Sequence, residues 1–439
     1  MQEKTVSFRV EPGQSLRGEA RVPGDKSISH RSIMLGSLAE GVTHVTGFLQ
    51  AEDCLATMKA FRSMGVRIEG PEDGRLVIHG VGLHGLQAPQ EALYLGNSGT
   101  SMRLLSGLLA GQRFDAVLTG DASLSRRPMK RVTDPLRQMG ACIETTEAGT
   151  APLKIRGNAP LRGIHYDMPM ASAQVKSCLL LAGLYAQGET SVTEPAPTRD
   201  HTERMLSGFG YAVAREGNRI SLCSGGRLVA TDIDVPSDIS SAAFFMVGAA
   251  IARDGEVTLR HVGMNPTRTG VVDILRLMGA QIEILNARDV GGEPVADLRI
   301  AAGPLHGIDI PEELVPLAID EFPVLFVAAA CANGVTRLTG AEELRVKESD
   351  RIQVMADGLK VLGVDAQPTP DGMIIQGGDV AGGTVDSHGD HRIAMAFAIA
   401  SLRAHGPMTI NDCENVNTSF PSFVGLAQSL GLRIAVENV

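Results

Sequence analysis

The chain repeats one pattern of apolar and polar positions six times. In each repeat an apolar run ends in a glycine, and a strand-like segment follows it. An amphipathic run then ends in a second glycine, which recurs at intervals of 68 to 84 residues. The glycines that close the apolar runs are Gly41, Gly111, Gly188, Gly255, Gly334 and Gly406, and those that close the amphipathic runs are Gly65, Gly140, Gly210, Gly279, Gly363 and Gly431. Such repetition indicates one supersecondary unit that recurs along the chain.

Each repeat predicts two helices of different character. A run that is apolar on every side predicts a helix enclosed by sheets or by other helices. The amphipathic run CLATMKAFRSM sets Lys59 and Arg62 apart from its apolar positions and predicts a half-exposed helix. The glycine after it is expected to adopt the left-handed conformation that ends a helix. The sequence therefore predicts an α/β chain in which sheets surround packed helices.

The repeats also predict the domain organisation. One repeat of about 70 residues cannot bury an all-apolar helix alone, so we expect two domains of three repeats each. The break should lie near TDIDVPSD, residues 231–238. The residues before the first repeat contain a spare strand, KTVSFRV, that could pair with either domain.

Polar residues stand at the start of every apolar run. They are Asp25-Lys26-Ser27, Asn97-Ser98-Gly99-Thr100, Ser172-Ala173-Gln174, Ser237-Asp238-Ile239-Ser240, Asp320-Glu321 and Asp390-His391-Arg392. Helix capping accounts for one Ser, Asp or Asn at each start, but it does not require the additional Lys, Gln, His and Arg residues. Helix N-termini attract anions, so six starts that face one cleft would form an anion-binding site.

Further cations strengthen this interpretation. Lys26, Arg31, Arg103, Arg127, Arg199, Lys347, Arg351 and Arg392 lie at or near the predicted helix starts. They suit a ligand that carries phosphate and carboxylate groups. For the segment RVKESDRI the alternative is a solvated helix with a pair such as Lys347 and Asp350.

Composition narrows the class of protein. A net charge of −10 argues against binding nucleic acid or a membrane surface, and 4% aromatic residues with no tryptophan argue against base stacking. The apolar runs are too short to span a bilayer, and the N-terminus lacks the features of a signal peptide, so we expect a cytoplasmic protein. Buried free thiols are expected at Cys54, Cys142, Cys178, Cys223, Cys331 and Cys413, because their spacing matches no metal site.

Seven motifs carry a resemblance to a known family. VPGDKSISHR, LGNSGTSMRL, GDASLSRRPMKRV, SAQVKSCLLLAGL, LRVKESDRI, HGDHRIAMAFAIA and NTSFPSF occur in order along nearly the whole chain. Together they resemble the 5-enolpyruvylshikimate-3-phosphate (EPSP) synthases. The resemblance implies a two-domain inverse α/β barrel of six βαβαββ repeats, three per domain. It assigns residues 1–22 and 236–439 to one domain and residues 23–235 to the other, with a hinge near residues 20–24 and 233–238.

The resemblance also implies an activity. The family transfers the enolpyruvyl group of phosphoenolpyruvate to the 5-hydroxyl of shikimate 3-phosphate by addition and elimination, a transferase step of the shikimate pathway in aromatic amino acid biosynthesis. No metal or other cofactor is expected, the partners are these two small molecules, and the family's usual state is a monomer. Both substrates are anions, which agrees with the predicted cations.

The resemblance assigns candidate roles by position. Lys26, Asp320 and Glu348 match the catalytic groups that share the acid and base steps. The residues that match contacts to shikimate 3-phosphate are Lys26, Ser27, Arg31, Ser172, Ala173, Gln174, Arg199, Asp320 and Lys347. Those that match contacts to phosphoenolpyruvate are Lys26, Asn97, Gly99, Thr100, Arg127, Gln174, Arg351, His391 and Arg392.

Three positions depart from the enteric and plant pattern. Thr418 replaces a lysine, Ala173 replaces a second serine, and Leu104 replaces a proline. These features are similar to a second bacterial class, in which tolerance to the inhibitor glyphosate is common. Gly99 is retained, and a glycine there leaves room for the inhibitor, so tolerance is an open hypothesis.

Three other classes of protein are alternatives. The sister enzyme that acts on UDP-N-acetylglucosamine shares the fold, but it would show Lys-Asn at Lys26-Ser27 and a loop cysteine within GDASLSRRPM. A non-catalytic protein that binds anionic metabolites, or an RNA-end-processing relative, would not need Asp320, Lys347 and Glu348 together.

Overall fold

The computed structural model describes residues 6–438 and divides into two compact units. One unit is Gly24–Val235, and the other is Met1–Pro23 with Pro236–Val439. Within residues 6–438 the α-helices are α1 (Lys26–Leu38), α2 (Glu52–Ser63), α3 (Gly99–Ala110), α4 (Lys130–Gln138), α5 (Ala173–Gly183), α6 (His201–Gly208), α7 (Ile239–Ile251), α8 (Gly270–Leu277), α9 (Phe322–Ala330), α10 (Arg351–Val361), α11 (His391–Ala400) and α12 (Phe423–Ser429).

The strands alternate with these helices. They are β1 (Val6–Val10), β2 (Leu16–Ala20), β3 (Glu40–Thr46), β4 (Arg67–Glu72), β5 (Arg75–Val81), β6 (Leu93–Tyr94), β7 (Ala116–Thr119), β8 (Cys142–Glu144), β9 (Leu153–Arg156), β10 (His165–Asp167), β11 (Glu189–Thr193), β12 (Ala214–Glu216), β13 (Arg219–Cys223), β14 (Ile233–Asp234), β15 (Gly255–Gly263), β16 (Gln281–Val290), β17 (Glu293–Ala301), β18 (Val335–Leu338), β19 (Asp365–Thr369), β20 (Gly372–Gln376), β21 (Gly383–Asp386), β22 (Met408–Asn411) and β23 (Ile434–Asn438).

The apolar runs form the enclosed helices that their sequence predicts. They are α1, α3 and α5 in the Gly24–Val235 unit and α7, α9 and α11 in the other unit. Every residue of α7 and α9 is buried, because these helices are apolar on all sides. By contrast, α2 buries one face and leaves Lys59 and Arg62 exposed, as its amphipathic pattern predicts.

In the Gly24–Val235 unit, three four-stranded sheets surround one core. Their strand orders are β14-β3-β5-β4, β6-β7-β9-β8 and β10-β11-β13-β12. In each sheet the first pair is parallel, with registers such as Leu93 opposite Leu118, and the remaining pairs are antiparallel. A buried helix connects β6 to β7 and β10 to β11, since parallel neighbours need a crossover. This arrangement is the predicted βαβαββ repeat.

The other unit repeats the plan with strands from the N-terminus. Its sheets have the orders β16-β17-β15-β2, β18-β20-β19 and β21-β22-β1-β23. Strand β2 pairs in parallel with β15, and β1 lies between β22 and β23 with Phe8 opposite Ile410 and Val436. Residues 6–10 of the spare strand KTVSFRV are thus β1, and its first two residues, Lys4 and Thr5, lie outside the described part of the chain.

The glycines after the amphipathic helices adopt the predicted conformation. All six have φ between 80° and 108°, in the left-handed region that side chains disfavour. Each of them therefore ends its helix and turns the chain into the next strand or extended segment.

The expectation of buried thiols is wrong for two cysteines and holds only in part for Cys331, which is half-buried. All six are free thiols, but Cys142 and Cys223 are exposed. They begin β8 and end β13, and alternate residues of those strands point outward. Burial raises the pKa of the Cys331 thiol to about 12. Separately, no helix within residues 6–438 has the length and apolar character needed to cross a membrane.

Helices α3 and α5 approach closely at Gly107. A Cβ atom on Gly107 would lie 2.0 Å from the carbonyl oxygen of Cys178, far below any contact distance. We therefore expect Gly107→Ala to lower the free energy of unfolding by about 1–3 kcal/mol, because backbone must move to admit the methyl group. Urea unfolding followed by circular dichroism measures this change.

Gly208→Ala is the matched control. Gly208 is the last residue of α6, and a Cβ there would meet no atom within 4 Å. Alanine should leave stability unchanged or raise it by up to about 1 kcal/mol. Equal stability of the two variants would contradict the close packing of α3 on α5.

Candidate active site

At five of the six buried helices, the side chain of the N-cap residue accepts a hydrogen bond from the first turn. Asp25, Ser98, Ser172, Asp238 and Asp390 each accept a hydrogen bond from a backbone N–H of the first turn. The start of α9 differs, because its N-cap residue Glu321 makes no such bond. The expectation of a capping residue at every start is therefore wrong at α9, where Asp320 and Glu321 have other partners.

Lys26 lies in the first turn of α1 and forms an ion pair with Asp53. Asp53 is buried in the first turn of α2, where a carboxylate also interacts favourably with the helix dipole. The half-buried ammonium of Lys26 is therefore held beside a fixed negative charge. Asp53 was not among the predicted site residues; the acidic pair that opens the amphipathic run was the only signal for it.

Arg31 follows Lys26 in α1 and links three helices. Its Nε donates to Thr202 Oγ1 at 2.7 Å, its Nη2 to Ser177 Oγ at 2.9 Å, and its Nη1 to the Ser27 carbonyl at 3.0 Å. These bonds tie α1 to α5 and α6. The buried side chain of Arg31 thus contacts the backbone of Ser27, which is a predicted contact to the substrate.

Two arginines converge on the start of α3. Arg127 donates to Asn97 Oδ1 at 2.6 Å, and a Cβ on Gly99 would lie 3.1 Å from Arg127 Nη1 and 3.2 Å from Arg103 Nη1. Glycine therefore lets both guanidinium groups approach the helix start. Their charges, together with the free N–H groups of the first turn, suit an anion such as phosphate.

Gln174 connects the starts of α3 and α5. Its Oε1 accepts from Arg103 Nη1 at 2.5 Å, and its Nε2 donates to Thr100 Oγ1 at 3.0 Å. Arg103, which the sequence indicates only as a nearby cation, thus donates to Gln174 and lies beside Gly99. Arg199 lies just before α6 in the same unit and is half-buried.

A buried histidine fixes the same helix starts. His30 Nδ1 is 2.8 Å from Thr57 Oγ1, which is 2.6 Å from Ser101 Oγ, and Ser101 Oγ is 2.7 Å from Ser98 Oγ. This chain of hydroxyls joins α1, α2 and the cap of α3. Burial, followed by the charges of Lys26 and Arg31, lowers the pKa of His30 well below its ordinary value.

In the other unit, Asp320 lies in a short 3-10 turn that runs into α9. Its Oδ1 is 3.5 Å from Lys347 Nζ and 3.3 Å from Arg351 Nη1. Its carbonyl oxygen accepts from Arg392 Nη1 at 3.2 Å. Three predicted site cations thus surround one carboxylate candidate.

Arg351 is the centre of this group. Its side chain is 1% exposed, its Nη2 donates to Glu348 Oε2 at 2.7 Å, and its Nε donates to Asp390 Oδ2 at 2.8 Å. Burial opposes a charge here, but attraction to Asp390, Glu348 and Asp320 raises the pKa of Arg351. Burial likewise favours neutral Asp390, and Arg351 outweighs it, so the pKa of Asp390 is lowered. Arg351 and Asp390 are therefore both charged at neutral pH.

The solvated-helix alternative for RVKESDRI is wrong. Residues Glu342–Val346 form a 3-10 turn, and α10 begins only at Arg351. Lys347 pairs with Asp320 and Glu343, whereas Asp350 caps α10. The segment therefore directs Lys347 and Glu348 towards Asp320 and Arg351.

His391 and Arg392 open α11. Asp390 caps this helix by accepting from Arg392 N at 3.0 Å, and the Arg392 guanidinium lies 4.0 Å from Glu321. Glu321 also accepts from Ser240 at the start of α7, where Arg268 Nη2 donates to Ser240 Oγ at 2.7 Å. Glu321, Arg268 and Asp390 were not among the predicted contacts.

Thr418, which stands where the enteric and plant pattern has a lysine, carries no charge. Thr418 is buried, and its hydroxyl donates to the Asn415 carbonyl at 2.7 Å. The Asn415 side chain in turn donates to the carbonyl of Gly389, beside the start of α11. Within residues 6–438, no group of three His, Cys, Asp or Glu side chains is arranged to hold a metal ion.

The fold and these clusters define a class of protein: α/β enzymes of two units built from βαβαββ repeats. The sequence model of the family EPSP synthase (3-phosphoshikimate 1-carboxyvinyltransferase) matches residues 10–426. The chain therefore belongs to the EPSP synthase family.

Individual relatives agree. A 3-phosphoshikimate 1-carboxyvinyltransferase from Methylococcus capsulatus is 73% identical over 437 residues, with 100% of both chains covered. One from Alkalilimnicola ehrlichii is 69% identical and covers 98% of this chain and 96% of its own. A solved EPSP synthase from Acinetobacter baumannii has a TM-score of 0.89 at 64% identity, covering 98% of this chain and 100% of that one. The predicted family, fold and enzyme class are confirmed, while the roles of single residues stay predictions.

The buried His30 generates a prediction about pH. Folded His30 stays neutral because its pKa is lowered, whereas in the unfolded chain it gains a proton below about pH 6.5. Because only the unfolded chain takes up this proton, the free energy of unfolding decreases as the pH falls. We expect His30→Asn to reduce the loss of unfolding free energy between about pH 7.5 and about pH 5.5 by about 1.4 kcal/mol.

Urea unfolding at the two pH values measures this difference. The control is His44→Asn, on the exposed face of β3, which should keep the pH dependence of the unsubstituted protein. The same loss in His30→Asn as in the unsubstituted protein would show that His30 takes up its proton in the folded state.

Proposed function

We propose that this protein transfers the enolpyruvyl group of phosphoenolpyruvate to the 5-hydroxyl of shikimate 3-phosphate and releases phosphate. The reaction is the 3-phosphoshikimate 1-carboxyvinyltransferase step of the shikimate pathway. The observation that carries the proposal is the cluster of Asp320, Arg351 and Glu348. One buried guanidinium holds two half-buried carboxylates, and addition with elimination requires one group to accept a proton and another to deliver one.

The bonds change in two stages. In the addition, a proton joins the methylene carbon of phosphoenolpyruvate, the 5-hydroxyl oxygen bonds to C2, and the hydroxyl proton leaves. In the elimination, the bond between C2 and the phosphate oxygen breaks, the new methyl group loses a proton, and the departing phosphate takes one up. The proposed path uses neither a metal nor an organic cofactor.

We assign the proton transfers to the charged groups at the helix starts. Asp320 accepts the hydroxyl proton, and the nearby Lys347 and Arg351 stabilise its carboxylate. Glu348 is half-exposed and takes up a proton from solvent once it leaves Arg351. It delivers that proton to the methylene carbon and regains one from the methyl group in the elimination. Lys26 supplies positive charge to both substrates, and its pair with Asp53 limits the positions of its ammonium group.

Phosphoenolpyruvate has to compete for Arg351, because the chain's own carboxylates already occupy it. We propose that the substrate carboxylate takes the Nη2 bond that Glu348 holds. Asp390 stays in place, since it is fully buried and also caps α11. The exchange releases Glu348 when the methylene carbon arrives and therefore couples binding to proton delivery.

The remaining contacts are proposed from their positions. For phosphoenolpyruvate they are Lys26, Asn97, Gly99, Thr100, Arg127, Gln174, Arg351, His391 and Arg392. For shikimate 3-phosphate they are Lys26, Ser27, Arg31, Ser172, Ala173, Gln174, Arg199, Asp320 and Lys347. The arginine pair beside Gly99 supports the first set, and the bond from Arg31 to the Ser27 carbonyl supports the second.

We also propose that the protein belongs to the second bacterial class of the family. Thr418, Ala173, Leu104 and the Arg199 segment support this assignment.

The monomeric state follows from the resemblance, and six free thiols support a reducing compartment such as the cytoplasm. Residues 23–235 and the remainder of the chain are proposed to move about a hinge near residues 20–24 and 233–238.

Lys26→Ala tests the proposed chemistry. We expect phosphate release from phosphoenolpyruvate in the presence of shikimate 3-phosphate to fall by a factor of about 10³ or more, because a charge that acts on both substrates is lost. The measurement is initial-rate phosphate release.

Two further variants separate catalysis from folding. Lys59→Ala, on the exposed face of α2, should keep full activity. Lys26→Ala/Asp53→Asn removes both members of the ion pair and should remain inactive, since restoring charge balance does not restore the ammonium. Activity in Lys26→Ala, or recovery in the double variant, would show that Lys26 is only a structural partner of Asp53.

Glyphosate inhibition tests the assignment to the second class. Glyphosate carries a phosphonate and a carboxylate, and the lysine that would meet one of them is replaced by the uncharged, buried Thr418. We expect competition with phosphoenolpyruvate to require concentrations well above the micromolar range. A micromolar competitive inhibition constant would contradict tolerance without affecting the proposed reaction.

A further inference from the structure

A second group of charges lies inside the Gly24–Val235 unit. Lys176 of α5 is 0% exposed, and its Nζ lies 3.0 Å from Glu194 Oε2 and 2.7 Å from Glu203 Oε1. Both carboxylates are buried as well. A lysine in such a place requires partners, because an unpaired charge away from water is costly. We call Lys176, Glu194 and Glu203 the buried lysine cluster.

The cluster takes no part in the proposed proton transfers. Its lysine has no access to solvent, so a substrate cannot reach it. The same helix α5 carries the proposed contacts Ala173 and Gln174, and Ser177, next to Lys176, accepts a hydrogen bond from Arg31. A buried ion cluster next to these positions could act through the backbone that it holds.

The cluster holds every polar group of Thr198. The backbone N–H of Thr198 donates to Glu194 Oε2 at 3.0 Å, and its hydroxyl donates to the same oxygen. Its carbonyl oxygen lies 3.5 Å from Lys176 Nζ. Thr198 is buried, and Arg199 is the next residue.

The local sequence makes this attachment stiff. Between Glu194 and Thr198 the chain reads Pro195-Ala196-Pro197, and each proline restricts φ and lacks an N–H. The Glu194 carboxylate therefore closes a five-residue loop onto the first backbone N–H that follows the second proline. Glu203 extends the attachment into the first turn of α6.

We infer that the buried lysine cluster and Thr198 are positioning residues for Arg199, and that they hold its backbone where the side chain meets the phosphate of shikimate 3-phosphate. The inference rests on the proposed function, in which Arg199 contacts that phosphate. A backbone that is fixed before binding does not have to be ordered on binding, which favours affinity. The cluster therefore sets affinity for shikimate 3-phosphate and leaves affinity for phosphoenolpyruvate unchanged.

Thr198→Val tests the inference. Valine keeps the volume and the backbone groups of Thr198 but removes the hydroxyl bond to Glu194. We expect KM for shikimate 3-phosphate to rise about tenfold, which corresponds to about 1.4 kcal/mol. KM for phosphoenolpyruvate and kcat should stay within about twofold, and Thr198→Ser should restore the original KM. Lys176→Met is unsuitable because it removes the buried cation that the two carboxylates share.

Thr190→Val is the matched control. Thr190 is a fully buried threonine of β11, close along the chain to Glu194, and its hydroxyl has no hydrogen-bond partner. The same substitution there should leave both KM values unchanged. A rise in KM for shikimate 3-phosphate in both valine variants would indicate a general loss of packing and overturn the positioning role.

A double-mutant cycle with Arg199→Ala separates the two proposals. If Thr198 acts through Arg199, Thr198→Val should raise KM for shikimate 3-phosphate no further in the Arg199→Ala background. A full tenfold effect in that background would overturn the inference while Arg199 remains a ligand. If Arg199→Ala alone leaves that KM unchanged, the proposed role of Arg199 fails, and the positioning role fails with it.

Discussion

The start of a buried α-helix is the constraint on which the site depends. Its first N–H groups have no acceptor within the helix, so a polar side chain at the start can stabilise the helix by accepting from one of them. In this chain Asp25, Ser98, Ser172, Asp238 and Asp390 do so. With three enclosed helices in each unit, polar residues are concentrated at helix starts, and the proposed chemistry uses positions where folding already favours a polar residue.

The helix that departs from this rule carries the proposed base. At α9 the Glu321 side chain does not cap the helix, and Pro323 in the first turn removes one N–H that would need an acceptor. Asp320 is thereby available for Lys347 and Arg351, and Glu321 for Ser240. Without the capping requirement at this start, a carboxylate located there pairs with Lys347 and Arg351 instead.

Sequence patterns predict the helices and their starts well, but not the partners of the charges. Periodicity identifies an enclosed helix because every residue contributes to the pattern. Glycine marks the end of the amphipathic helix that follows, because few other residues adopt a positive φ. Asp53 and Asp390 reach Lys26 and Arg351 from other helices, 27 and 39 residues away, so no local spacing reports them. Local spacing instead suggested Lys347 with Asp350, which the 3-10 turn before α10 prevents.

Charge compensation explains how a protein of net charge −10 keeps several buried cations. Lys176, Arg268 and Arg351 each pair with at least one carboxylate, because an isolated charge in the interior is unstable. An anionic ligand can therefore reach such a cation only by taking the place of a carboxylate. At Lys176 the partners are enclosed and the charges serve to hold backbone. At Arg351 the partner Glu348 is half-exposed, which supports the proposal that a substrate carboxylate displaces it and so releases the proposed proton donor.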